Sequence, residues 1–205
     1  MTASSRHVYD RASLAFHWLT AILVGLNWVL AEGRGFLPKG DPRALVLSVH
    51  IASGLAITAI LLLRLAWRLT LGHKPPRLPG LLEAIGRLAH VLLYLLLALT
   101  VATGISRALG HGSRLFAWRF ALPMPAPLHD LLRAAGSIHG TIADALVILA
   151  GLHALAAIAH HALLRDDTLN RMLPLIGDRL RAPRPWTRHT ELLLRRLGIH
   201  PTRAD

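Results

Sequence analysis

The chain has 205 residues, 53% of them hydrophobic and only 17% charged, with a mean hydropathy of +0.46. Its 23 Lys+Arg against 11 Asp+Glu give a net charge of +12, but a nucleic-acid binder this basic would not also be this apolar. Cysteine is absent, which excludes disulfides, thiolate zinc sites, iron–sulfur clusters and thioether-attached haem.

Four segments are long and apolar enough to cross a bilayer, which takes about 20 residues at about 1.5 Å each. They cover about residues 13–31, 45–69, 85–105 and 138–164. Leu and Ala dominate them, two-residue alternation is missing and no proline interrupts, so each reads as a helix. The first carries His17 and Asn27 and lacks a small-residue cleavage site, so it reads as a retained helix rather than a signal peptide. Residues 33–43 and 72–80 are short polar links. The third connection, 106–137, contains LPMPAP and then LHDLLRAAG, a pattern for an extended stretch followed by a short helix on the membrane surface. The expected fold is all-α: an integral membrane four-helix bundle over 1–174, then a basic cytoplasmic tail over 175–205. Of the 23 Lys and Arg, 16 fall in the N-terminus, in the second link with the helix ends beside it, and from Arg165 onward, which places both termini in the cytoplasm. Gly104 and Gly151 offer helix faces for close packing.

Histidines within these helices carry the functional argument, because an ionisable group at membrane depth is costly. His139 and His153 share the fourth helix fourteen residues apart. At about 100° per residue they fall within about 40° of one face, about 21 Å apart along the axis. His50 lies near the outer end of the second helix, and His17 lies toward the inner end of the first. Depth therefore gives two pairs, His50 with His139 and His17 with His153. Two neutral imidazoles facing each other across a bundle suit a planar macrocycle ligated on both faces, so the spacing implies two b-type haems and outer-sphere electron transfer. The competing reading is a metal site, for which the helices supply no matching carboxylate cluster. His90 shares the inner depth, and three roles are open for it: a replacement ligand, a propionate donor or part of a quinone pocket. Arg64 pairs with an inner-haem propionate or serves as an inside anchor. Asp144 relays protons or pairs with a neighbouring helix. Trp18 and Trp28 mark interfacial belts, and His160 and His161 sit at the inner interface.

The fragments FHWL at His17, RGFLP at Arg34–Pro38, SVHIASG at His50 and LAHVLLYLLL at His90 occur in this order. They precede SIHGTIADALVILAGLHALAAIAHHALLRDDTLNRMLP over Ser137–Pro174. Together they resemble the bacterial cytochrome b561 family, and specifically its short four-helix members that act as superoxide:ubiquinone oxidoreductases. The resemblance implies a multi-pass protein of the bacterial inner membrane whose two haem b groups are ligated at His17, His50, His139 and His153. It also implies ubiquinone as electron acceptor and superoxide as donor at the outer face. Asp144, where a neutral polar residue is expected, and the tail after Pro174 depart from the pattern. That tail reads as a basic amphipathic helix on anionic lipid or as an unstructured arm. The alternative function is a membrane-anchor cytochrome, a non-enzymatic carrier between quinone and a redox protein partner such as a dehydrogenase or hydrogenase.

Overall fold

The computed structural model describes residues 10–71, 80–112, 114–115, 118–119, 126–159, 161–162 and 172. The tail over 175–205, His160 and most of the LPMPAP stretch lie outside the described residues.

Helix α1 spans Arg11–Gly33. Asp10 caps it, accepting the Ser13 backbone N–H and the Ser13 hydroxyl at 2.8 Å each, a device worth about 1 kcal/mol. A 3-10 turn over Arg34–Phe36 closes it. Helix α2, Asp41–Thr70, starts behind Gly40, whose φ of 111° is strained for any side chain, with Pro42 in the first turn where no N–H is needed. Helix α3 spans Leu81–Gly110, α4 spans Ala126–Ser137 and α5 spans His139–Ala159. Between α3 and α4 the chain forms a two-residue antiparallel ladder, Arg114–Leu115 (β1) with Trp118–Arg119 (β2). The first three helices extend past the apolar limits seen in the sequence, because caps and polar end turns continue the backbone ladder beyond the lipid.

Four stretches among the described residues are long and apolar enough to cross a membrane: Arg11–Phe36, Asp41–Thr70, Glu83–Gly110 and Ala126–Ala159. Their outward faces expose large apolar side chains such as Ile22, Val29, Leu62, Ile148 and Leu155, as a lipid-solvated bundle requires. Helix α1 packs on α2, α2 on α3, α3 on α5, and α5 meets α1 to close the ring.

The α3 seam continues without a break from α5 onto α4. The His139 ring sits against Gly104, Gly136 lies against Arg107 and Arg133 against Gly110, so three residues up α3 match three residues back along the partner. The helix expected to lie on the membrane surface is thus stacked antiparallel along the end of α3. Gly136 makes this possible: a Cβ there would stand 2.6 Å from the Arg107 Cα. Of the two glycines expected to allow close packing, Gly104 does so, whereas Gly151 has nothing within 4 Å of where a Cβ would be.

Among the described residues the buried apolar core is Ile57, Leu97 and Leu146, one each from α2, α3 and α5, with Leu23, Val24 and Leu61 packed against it. Ile57 is seven residues from both His50 and Arg64, and Leu146 is seven from both His139 and His153. Seven residues rise about 10 Å, so the core lies midway between two polar levels.

Candidate cofactor sites

At the level expected to face outward, the ring of His50 from α2 meets that of His139 from α5 across the interior. Their centroids are 6.2 Å apart with planes at 80°. The Nδ1 of His50 is 3.1 Å from the backbone carbonyl oxygen of Asn27, and the Nδ1 of His139 is 3.0 Å from that of Thr100. A carbonyl can only accept, so both Nδ1 atoms donate and both Nε2 atoms keep their lone pairs. Such a second partner fixes the tautomer and orientation of a metal-ligating histidine. Two metal–nitrogen bonds of about 2.0 Å plus the ring radii need roughly 6 Å between centroids, which the pair supplies. Around it, the Asn27 side-chain oxygen accepts the Ser53 hydroxyl, and the Thr103 hydroxyl lies 3.3 Å from His139 Nδ1. Gly104 leaves room for the His139 ring: a Cβ would come 2.9 Å from its Cε1.

At the other level, expected to face inward, the structure gathers three histidines. The rings of His90 on α3 and His153 on α5 are edge to face, with centroids 4.9 Å apart. That is too close for a metal between them. His90 Nδ1 donates to the Gly86 carbonyl one turn back at 2.7 Å. His17, on α1, lies within electrostatic range of both His153 and His90, but its Nδ1 is 3.5 Å from a terminal nitrogen of Arg64. The ring seated against His153 is therefore that of His90, whereas depth counting matched His153 with His17. Depth is one coordinate; the close α3–α5 seam makes His90 the lateral neighbour. Arg64 also lies over the ring of Tyr94, 5.1 Å from its centroid.

No group of three or more His, Cys, Asp or Glu is placed to hold a metal ion among the described residues. A bare ion would find two protein ligands at the outer level, whereas a porphyrin brings four of its own. The residues there fit a haem.

The sequence profile of the prokaryotic cytochrome b561 family matches residues 8–175. The chain belongs to that family. It is 30% identical over 169 residues to a protein of Yersinia pestis named probable superoxide oxidase CybB, covering 81% of this chain and 96% of that one. Cytochrome b561 homolog 2 of Escherichia coli (strain K12) is 33% identical over 180 residues, covering 80% and 90%. Cytochrome b562 of Cereibacter sphaeroides is 31% identical over 171 residues, covering 80% and 94%. No solved structure matches the chain significantly. As a cytochrome b561 the protein is a multi-pass electron-transfer protein of the bacterial inner membrane, in contact with lipid, and its family binds b-type haem.

Further residues of this cytochrome b561 come into view only in the fold. Asp144 accepts the Trp28 indole N–H at 3.1 Å; of its two expected roles, it pairs with a neighbouring helix. Trp18 donates to the Met172 carbonyl at 2.8 Å. Sequence reading missed the carbonyls of Asn27 and Thr100, which carry no side-chain signal. It also missed Arg68 and Tyr94, although Arg64 and Arg68 recur at one-turn spacing. Where the link between α1 and α2 meets the start of α2, a cavity of about 340 Å³ is lined by Arg34, Lys39, Gly40, Arg43, Ala44 and Leu47.

Proposed function

We propose that this cytochrome b561 holds two b haems, one at each histidine level, and oxidises superoxide to O2 on the periplasmic side while reducing ubiquinone. When bound, haem would supply a reversible one-electron couple, and two imidazoles holding its iron would leave no place for oxygen to bind. In this reading His50 and His139 are the outer ligands, because their free Nε2 atoms belong to rings set a metal's width apart. That pair is the observation that carries the proposal. His17 and His153 are the inner ligands, drawn from α1 and α5, since His90 stands too close to His153 to share an iron with it. His90 then flanks the inner site, with its Nδ1 tied to its own helix and its Nε2 lone pair able to accept the O–H of the reduced quinone.

The cationic bias of the N-terminus, second link and tail puts both termini in the cytoplasm and the His50/His139 level toward the periplasm. Arg34, Lys39 and Arg43 line the outer cavity, and cations in a concave surface attract a small anion such as superoxide. Each superoxide gives up one electron, so two are consumed for every ubiquinone that takes two electrons and two protons. The name of the Yersinia pestis relative supports the same activity.

Pyridine extraction of the purified protein tests the stoichiometry: two haem b per chain are expected, and one would remove a level. Stopped-flow mixing of the oxidised protein with superoxide tests the donor. Haem reduction no faster than in a buffer control would remove superoxide oxidation and leave a carrier that serves another redox protein.

A further inference from the structure

Arg64 and Arg68 stand one turn apart on α2, and both guanidinium groups lie over the single ring of Tyr94 on α3, at 5.1 and 5.7 Å from its centroid. Each contact with the ring is favourable, but like charges at this helical spacing repel. No carboxylate among the described residues forms an ion pair with either arginine. The Tyr94 hydroxyl is buried beside Arg64, which can only donate to its oxygen, and its own O–H meets no acceptor among the described residues. Two forks of N–H donors, one half-buried and one exposed, thus converge with one buried O–H where no carboxylate stands among the described residues, and a buried hydroxyl without an acceptor is costly.

The location narrows the acceptor. Arg64 also reaches His17, at the limiting distance of 3.5 Å. A guanidinium can only donate, so in this contact His17 accepts at Nδ1 and carries its proton on Nε2, the reverse of His50 and His139. For His17 to ligate iron through Nε2, Arg64 must turn to another acceptor. We infer that Arg64, Arg68 and Tyr94 form a carboxylate cradle in the inner half of the bundle, which takes a propionate of the inner haem and in doing so releases the His17 ring. The inference rests on the two-haem reading. An Arg–carboxylate pair is geometrically specific and can be bidentate, and two cations beside one haem favour its reduced form over that of the outer haem.

The test uses the purified holoprotein, with its haem content measured first, then a redox titration and the propionate bending band in resonance Raman spectra. Arg68→Gln is expected to lower one of the two midpoint potentials by about tenfold in the oxidised-to-reduced ratio, about 59 mV for one electron, and to leave the other unmoved. Arg68→Lys restores most of that shift. Tyr94→Phe, which keeps charge and shape, is expected to move the propionate band of the same haem toward weaker hydrogen bonding. A propionate band unchanged in both Arg68→Gln and Tyr94→Phe overturns the cradle while the two-haem reading stands. A response that appears only when phosphatidylglycerol is added overturns it in favour of a lipid phosphate. Wild-type protein purified without haem overturns the cradle and the haem reading together.

Discussion

At the residue scale, what distinguishes His50 and His139 among the described histidines is the partner of each Nδ1. A backbone carbonyl from a neighbouring helix holds each proton on Nδ1 and leaves Nε2 able to bind metal. His50→Ala and His139→Ala are therefore each expected to lose one haem, the same one, with the optical signature of the other retained; haem-to-protein ratios and reduced-minus-oxidised spectra check this. If His50→Ala and His17→Ala instead remove the same chromophore, the assignment of levels fails. Gly104→Ala tests the positioning without replacing a ligand. The added Cβ, 2.9 Å from His139 Cε1, forces the ring or the helix to move. The outer haem is expected to bind more weakly, at a cost of about 1–3 kcal/mol, the usual size of an overpacking penalty. Candidate ligands were legible from depth alone, but their tautomers were not, because backbone carbonyls leave no mark in the sequence.

At the element scale, α3 is the spine: α5 and α4 run down it in one antiparallel register, and this register sets His139 beside Thr100 and His153 beside His90. Gly136→Leu drives a side chain into the Arg107 backbone. The expected result is a loss of about 1–3 kcal/mol, read as a lower melting temperature in detergent, whereas Gly151→Ala, in open space, is expected to be near neutral. The four spans could be read from hydropathy and length. The stacking of α4 on α3 could not, since an amphipathic twelve-residue helix fits a lipid surface and a protein groove equally well.

At the scale of the whole molecule, two polar levels are separated by the apolar layer of Ile57, Leu97 and Leu146. In the two-haem reading, such a layer would let electrons tunnel between the levels while denying water and protons a path. Leu146→Ala is expected to cost about 2–5 kcal/mol through the cavity it leaves, measured by thermal unfolding. If the cationic outer surface steers superoxide, the second-order rate of haem reduction should fall steeply as salt rises, because the Debye length shrinks to about 8 Å at physiological ionic strength. A rate independent of salt would remove steering.

The sequence by itself determined the solvent, the number of crossings, the family and the two depths of histidine. All of these are one-dimensional properties: hydropathy along the chain, motif order, and residue count at a fixed helical rise. Which imidazole meets which was decided only by the tertiary structure. Neighbours around a bundle depend on which helices touch and how tightly, so His90 rather than His17 lies against His153. The pairing of Trp28 with Asp144 and the convergence of Arg64, Arg68 and Tyr94 depend likewise on how neighbouring helices are turned toward one another.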